Sequence, residues 1–90
     1  MKFYKTKYCD NENLAIIAIE DYEVYGSLTV NINKLPYGLA AIDTNNFPNA
    51  EHVAKELGGV PTEEYLTSGF CKYPVYDFSC VLNNIENLED

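Results

Sequence analysis

The apolar run at residues 14–20, Leu-Ala-Ile-Ile-Ala-Ile-Glu, constrains the fold more than any other part of this 90-residue chain. It is too short for a typical helix, and its apolar side chains follow one another without the alternation of a half-buried strand. Continuous apolar runs of this length are typical of strands that are covered on both faces. We therefore predict a central strand of a β-sheet at residues 14–20.

The neighbouring segments also have the character of strands. Residues 2–8 are rich in aromatic residues and lysine, which predicts an edge strand whose lysines protect the edge and face solvent. Residues 24–32 alternate between apolar and polar types, which predicts a half-buried antiparallel strand with Tyr25 and Thr29 on its polar face. A further short strand is expected at residues 37–42.

One segment, residues 50–57, predicts a helix, because its apolar residues recur at helical spacing. Asn46 or Asn49 is expected to cap the N-terminus of this helix, and Gly58 follows its end. Residues 61–64 are expected to start a further single turn. Helices are therefore expected to be a minor component of the fold.

The last third of the chain completes the predicted fold. Residues 70–79 indicate a last strand, in which Pro74 implies an edge position or a bulge. An acidic C-terminal tail from about residue 83 is expected to be frayed or to form a short helix. The predicted fold is α+β, a mostly antiparallel sheet of four to five strands with one main helix packed against it. Residues 1–90 are expected to form a single compact domain.

The charge of the chain narrows the function classes that fit it. Fourteen Asp and Glu oppose six Lys and no Arg, which gives a formal net charge of −8. Because 47% of the residues are hydrophobic and eight are Tyr, the chain lies outside the disordered class and carries these acids on a folded surface. Such a surface repels nucleic acid and anionic membrane and attracts a partner protein with a basic surface. The alternative is that the charge only keeps a small domain soluble.

The cysteines and the N-terminus indicate a cytoplasmic protein. Cys9, Cys71 and Cys80 are odd in number and form no Cys-x-x-Cys pair, so free thiols are expected. The first residues lack the apolar segment of a signal peptide. No stretch approaches the roughly 18 apolar residues of a membrane span. We expect no membrane binding.

No catalytic or cofactor-binding motif occurs in the sequence, which lacks the phosphate-loop, dinucleotide-binding, nucleophile-elbow and zinc-protease patterns. His52 is the only histidine, and we expect it at the surface or boundary of the helix, because zinc requires three or four Cys or His ligands at close spacing. A thiol hydrolase built on Cys71 and His52 is the last of the alternatives. We predict no enzyme activity, no cofactor and no metal.

Two segments are candidates for partner binding. Residues 43–48 place polar side chains before an aromatic residue and a proline, which suits either turn and capping chemistry or a recognition loop on a rigid scaffold. Residues 20–23 form an acidic connection between two strands, and Glu86, Glu89 and Asp90 form a second acidic cluster. The predicted partner-binding residues are Glu20, Asp21, Glu23, Tyr25, Asp43, Asn45, Asn46, Phe47 and Tyr73.

Three segments of the sequence resemble a known family. They are Leu-Thr-Val-Asn-Ile at residues 28–32, Asp-Thr-Asn-Asn-Phe-Pro at 43–48 and Ser-Gly-Phe-Cys-Lys-Tyr-Pro-Val-Tyr-Asp-Phe at 68–78. Over about residues 12–80, the chain resembles the DUF4313 family of small proteins from bacteria, plasmids, prophages and phages. The family has no assigned activity, so the resemblance implies a mobile-element accessory protein and no catalytic residue. It draws attention to the motif residues Asp43, Asn45, Asn46, Phe47, Gly69, Phe70, Cys71, Tyr73 and Pro74.

The charge, the absence of catalytic motifs and the resemblance together predict a non-enzymatic inhibitor of a host nucleic-acid-handling defence system, of the anti-CRISPR or anti-restriction type. Its carboxylates would imitate a phosphate backbone and occupy a basic surface of the host protein. One alternative is a small-molecule or nucleotide-binding module whose pocket is formed by residues 43–47 and Tyr73. Another is a homodimer that pairs the predicted edge strand at residues 2–8.

Overall fold

The computed structural model describes residues 1–88, and within them eight strands, one α-helix and one short 3-10 helix. The α+β class predicted from the sequence is confirmed. The helix α1 spans Ala50–Glu56, and the 3-10 helix spans Leu82–Asn84. The strands are β1 (Lys2–Lys7), β2 (Leu14–Glu20), β3 (Glu23–Ser27), β4 (Thr29–Val30), β5 (Leu39–Ile42), β6 (Val60–Ser68), β7 (Cys71–Asp77) and β8 (Glu86–Asn87).

The apolar run at residues 14–20 forms β2, which lies inside a four-stranded sheet with the order β3-β2-β1-β8. One face of β2 is fully buried through Ile16 and Ala18. On the other face, Ile17 and Ile19 are only half-buried. The prediction of a central strand is therefore confirmed, whereas its second face is covered only in part.

The predicted edge strand at residues 2–8 is not at the edge of the sheet. β1 pairs with β2 on one side, and on the other side the short β8 pairs with it in parallel, Tyr4 opposite Glu86 and Lys5 opposite Asn87. The Lys5 side chain, expected to face solvent, is half-buried and donates hydrogen bonds to carbonyl oxygens of the segment that precedes β8. The homodimer alternative would therefore need β1 to exchange β8 for the partner strand.

The C-terminal segment is ordered into the sheet as far as the structure describes it. The expected short helix is present as the 3-10 helix, and Ile85 after it is buried in the core. The chain then continues as β8 rather than as a frayed end. Of the second acidic cluster predicted from the sequence, Glu89 and Asp90 lie outside the described residues.

The single strand predicted at residues 24–32 is two strands, β3 and β4, which belong to different sheets. Leu28 lies between them: its N–H donates to the Ile16 carbonyl (2.9 Å), and its carbonyl accepts from the Asp43 N–H (2.8 Å). Thr29, predicted on a polar outer face, is buried, and its Oγ1 accepts a hydrogen bond from the Ile16 N–H at 3.2 Å. The chain therefore crosses from one sheet to the other at this point, and the local alternation does not reveal it.

The second sheet has the order β4-β5-β7-β6 and is antiparallel throughout. The molecule therefore has two four-stranded sheets, not the one sheet of four to five strands that the sequence predicted. The expected turn at residues 61–64 is wrong, because these residues belong to β6, where the register shifts between Pro61 and Tyr65 and Glu63 has a φ of 70°. Pro74 pairs with Tyr65 beside this shift, as predicted for a bulge, but its strand β7 lies between two others.

The helix and both sheets share one core among the described residues. Asn49 immediately precedes α1 as predicted, but it has a left-handed φ of 55° and its side chain makes no capping hydrogen bond. No helix in residues 1–88 is long and apolar enough to cross a membrane. The buried core cluster consists of Ile16, Ala18, Leu28, Ala40, Ile42, Phe47, Ala50, Ala54, Tyr76, Phe78, Leu82 and Ile85.

Candidate functional site

The β2–β3 hairpin ends in the acidic tip, defined here as residues 20–23. Its two loop residues, Asp21 and Tyr22, both have left-handed backbone, with φ values of 52° and 68°. Glu20 and Glu23 pair directly across the hairpin beside this loop. Left-handed φ at both loop residues is the geometry of a type I′ turn, for which Asn-Gly or Asp-Gly is strongly preferred. The tip therefore uses a favourable Asp at the first position and an unfavourable Tyr at the second.

Two features of the acidic tip work against the stability of the hairpin. A left-handed backbone costs a residue other than glycine about 1–2 kcal/mol, and Tyr22 has no short polar side chain to offset this. Like charges directly opposite each other on neighbouring strands, as at Glu20 and Glu23, are also destabilising. The N-terminal ammonium of Met1 lies 3.7 Å from Glu20 and compensates in part. Sites where the local rules are broken in this way are often functional.

The acidic tip also presents apolar surface to solvent. Tyr22 is fully exposed, and Val24 and Tyr25 in β3 retain 68% and 51% of their accessible surface. Glu20, Asp21 and Glu23 surround Tyr22 in the chain, and all three are exposed. The result is an aromatic side chain among three carboxylates at the end of a hairpin. Tyr is enriched at protein–protein hot spots because it offers a large, amphipathic contact area with few rotatable bonds.

Tyr25 connects the acidic tip to the loop at residues 43–48. The register between β2 and β3 shifts between Ala18 and Ile19, which leaves Tyr25 as an extra residue in β3. Its ring packs edge-on against Phe47, with centroids 5.7 Å apart. The bulge thus turns Tyr25 towards the core margin, so it does not lie simply on the polar face predicted from alternation. The structure brings these two predicted segments together.

Within the loop at residues 43–48, the hydrogen bonds of the polar side chains join residues of the same loop. Asp43 is buried, and its Oδ1 and Oδ2 accept hydrogen bonds from the backbone N–H (3.0 Å) and the side-chain amide (3.3 Å) of Asn46. The Asp43 carbonyl accepts from the Phe47 N–H at 3.0 Å, and Phe47 is buried in the core. Asn45 and Asn46 are exposed. The turn chemistry considered for this loop is therefore present, and the exposed Thr44, Asn45, Asn46 and Pro48 are open to a partner.

Tyr73 is buried on β7 and does not contribute to the surface of the acidic tip. The neighbouring Cys71 thiol raises the pKa of Tyr73, with smaller contributions from burial and from the Asp43 carboxylate. Cys71 is half-buried, while Cys9 and Cys80 are exposed, and all three are free thiols. His52 is exposed and pairs with Glu56 one helical turn along α1. Among the described residues, no group of three or more His, Cys, Asp or Glu is placed to hold a metal ion.

A second hairpin, β6–β7, also ends in an exposed aromatic residue. Ser68 pairs with Cys71 across a two-residue loop formed by Gly69, with a φ of 61°, and Phe70, which is fully exposed. Lys72 lies over the ring of Tyr65, 5.8 Å from its centroid. One of the three motifs noted in the sequence thus forms a hairpin loop and the strand after it. This hairpin lacks the carboxylates of the acidic tip at its loop.

Two clefts are open at the surface of the described residues. The first, of about 470 Å³, lies between β1 and the connection from β4 to β5. The second, of about 540 Å³, lies on the half-buried face of the first sheet and is lined in part by Tyr22 of the acidic tip. Neither cleft is lined by Asp43, Phe47 or Tyr73, the residues expected to form a ligand pocket.

Sequence reasoning missed Tyr22, the most exposed residue of the acidic tip. A signal was present, because an aromatic residue between acids at a hairpin turn replaces the expected Gly. The DUF4313 family model, described as a domain of unknown function, matches residues 4–88. No curated protein and no solved structure matches the chain.

Proposed function

The chain belongs to the DUF4313 family, and from that premise we propose that it is a non-enzymatic accessory protein of mobile elements that binds a basic surface of a host protein. In this proposal the host protein is a nucleic-acid-handling component of a defence system, and binding inhibits it in the manner of an anti-CRISPR or anti-restriction protein. The observation that carries the proposal is the acidic tip, with Tyr22 exposed among three carboxylates.

The charge of the tip gives the proposal its physical basis. Proteins that bind nucleic acid do so largely through lysines and arginines that neutralise phosphates. Carboxylates on a projecting hairpin offer the same sign of charge to such a surface, and the net charge of −8 speeds the encounter through long-range attraction. A binding surface made of charge alone would be weak, because exposed ion pairs each contribute only about 0–1 kcal/mol.

Tyr22 supplies what the carboxylates lack. An exposed aromatic side chain that enters a pocket of the partner loses water from a large apolar area, and such anchors often contribute more than 2 kcal/mol to binding. The left-handed backbone of Tyr22 fixes the direction in which the side chain leaves the hairpin. The hairpin is therefore a preorganised contact surface, which lowers the entropy lost on binding. This division of roles predicts that charge sets the rate of association and Tyr22 sets the lifetime of the complex.

The test begins with capture of host proteins on the tagged protein from a bacterium with defence systems, eluted with rising salt. The affinity of the captured protein is then measured for wild type and for the triple variant Glu20→Gln, Asp21→Asn, Glu23→Gln. We expect the triple variant to bind roughly tenfold or more weakly and to show a smaller dependence of affinity on salt. The captured protein should also lose nucleic acid binding in the presence of the wild type.

A matched variant separates the acidic tip from net charge. Glu56→Gln, Glu63→Gln and Glu64→Gln remove the same formal charge from exposed positions on α1 and β6. This variant should retain nearly all of the affinity, because its charges lie away from the tip. Equal losses in the two variants, or binding that salt does not weaken, would refute the proposal for the acidic tip.

A further inference from the structure

Half of the lysines in this acidic chain lie together. Lys5, Lys7 and Lys34 line the cleft of about 470 Å³ between β1 and the connection from β4 to β5, and Glu12 is the one acidic residue among the lining residues. The Lys7 ammonium lies 3.8 Å from Glu12 Oε1, and the other eleven described acids of the chain do not line the cleft. Three lysines and one glutamate leave the cleft with a formal surplus of two positive charges, which favours a bound anion.

Lys5 is held in place within this cleft. Its ammonium group donates to the Leu82 carbonyl at 2.7 Å and to the Ile85 carbonyl, and its side chain is half-buried. An ammonium group has three N–H donors, so these two bonds leave one for a ligand. The carbonyl oxygens accept these bonds without neutralising the formal charge of Lys5. The cleft thus has a fixed positive charge at its base rather than a freely rotating surface lysine.

The opposite wall of the cleft is also fixed. Asn13 is buried, and its side-chain amide donates to the Asn33 carbonyl at 2.7 Å and to Asn31 Oδ1 at 3.0 Å. Its Oδ1 accepts from the Leu35 N–H at 2.9 Å. Lys34, between two of these partners, donates to the Asn11 carbonyl at 2.6 Å. This network ties the connection to the loop between β1 and β2, so the wall is formed before a ligand arrives.

The remaining lining residues are mostly apolar, and one of them is aromatic. Leu14, Leu35 and Pro36 contribute apolar surface, and Tyr37 retains 80% of its accessible area at the cleft margin. Clefts of about 300–1,000 Å³ with apolar walls and a few polar groups are typical of small-molecule sites. An exposed tyrosine ring beside ammonium groups suits a ligand that has a flat ring and an anionic group.

We propose that this cleft binds a small organic anion, a phosphate or carboxylate group on a flat, largely apolar body. Lys5, Lys7 and Lys34 would contact the anionic group, and Tyr37 would pack against the ring. The proposal does not depend on the partner-binding function proposed above, since none of the acidic-tip residues lines this cleft.

The test is titration of the ¹⁵N-labelled protein followed by NMR, with AMP and indole-3-acetate as anionic probes and adenosine as the uncharged probe. We expect AMP, indole-3-acetate or both to shift backbone resonances of the cleft residues saturably, with a Kd of about 1 mM or below. Adenosine should bind at least about tenfold more weakly, because it cannot pair with the lysines. A stronger response to AMP than to indole-3-acetate would assign the site to phosphates, and the reverse to carboxylates.

Two double variants distinguish binding of the anionic probe at this cleft from a general attraction of anions to lysines. Lys7→Gln with Lys34→Gln removes two charges of the cleft and leaves Lys5, which ties down the C-terminal segment, unchanged. Lys2→Gln with Lys55→Gln removes the same charge from exposed positions elsewhere. The first variant should bind the anionic probe at least about tenfold more weakly, and the second should bind as wild type does. Equal effects of the two variants, equal binding of adenosine, or no saturable shift with either anion would overturn the proposal.

Discussion

Replacement of Tyr22 by glycine should stabilise the protein and weaken partner binding at the same time. Relief of the left-handed backbone at φ 68° is worth about 1–2 kcal/mol. The greater freedom of glycine in the unfolded chain offsets roughly 0.5–1 kcal/mol of this gain. Because the Tyr22 side chain is fully exposed, its removal sacrifices little folded-state contact. The free energy of unfolding should therefore rise by about 0.5–1 kcal/mol, which raises the Tm by roughly 2–6 °C for a chain of this size.

The assay for this prediction is equilibrium urea unfolding of wild type and Tyr22→Gly, with Glu63→Gly as the matched control. Glu63 is exposed and has a φ of 70°, so the same substitution should stabilise it by a similar amount. Only Tyr22→Gly should also weaken binding to the captured host protein, by tenfold or more if Tyr22 is an anchor. The strain argument would be refuted if the free energy of unfolding of Tyr22→Gly were equal to or lower than that of wild type. Unchanged binding would remove Tyr22 from the proposed site.

Two further predictions concern the core. Burial and a hydrogen bond to Glu51 raise the pKa of Tyr76 to about 12. In the unfolded chain the pKa of a tyrosine is about 10. Tyr76 therefore contributes stability below about pH 10, and this stability is lost as the pH rises to about 12. Unfolding measured across this range should show a shallower alkaline decline in Tyr76→Phe, and identical slopes would contradict this. Thr29→Val leaves the buried Ile16 N–H without its acceptor and should lower the free energy of unfolding by about 1–3 kcal/mol. Thr67→Val, the same substitution at an exposed position of β6, is the control, and a Thr29→Val loss no larger than that of Thr67→Val would contradict the reasoning.

Strands whose side chains carry a pattern of residue types were predictable from the sequence, whereas β6, whose side chains carry almost none, was not. β2 was clear because its apolar side chains are consecutive. β6 is the longest strand, but only Thr62 and Leu66 are even half-buried, so its side chains carry almost no pattern. Its pairing with β7 uses backbone groups, which every sequence has. The division into two sheets could not be predicted from the sequence for a similar reason. Thr29 is buried, and its hydroxyl group forms hydrogen bonds with residues that are distant in the sequence.

The candidate site was predictable in its charge but not in its geometry. Glu20, Asp21 and Glu23 were recognisable as an acidic turn from composition alone. The contact between Tyr25 and Phe47 depends on a bulge that the sequence did not indicate. The exposure of Tyr22 depends on a two-residue loop, for which the aromatic residue between acids was the one available signal. The lysine cleft was equally hidden, because it joins Lys34 to Lys5 and Lys7, which are separated from it by almost 30 positions and were expected to face solvent.

The two proposed sites lie at opposite ends of the same strand, and this distance keeps them independent. β2 begins at Leu14, which lines the lysine cleft, and ends at Glu20 in the acidic tip. Six residue steps in a strand span roughly 20 Å, whereas charges in physiological salt are screened over about 8 Å. The lysines therefore do not neutralise the tip, and the acids do not repel an anion from the cleft. A chain with a net charge of −8 can therefore have an acidic surface that binds a basic partner and a separate basic surface that binds a small anion.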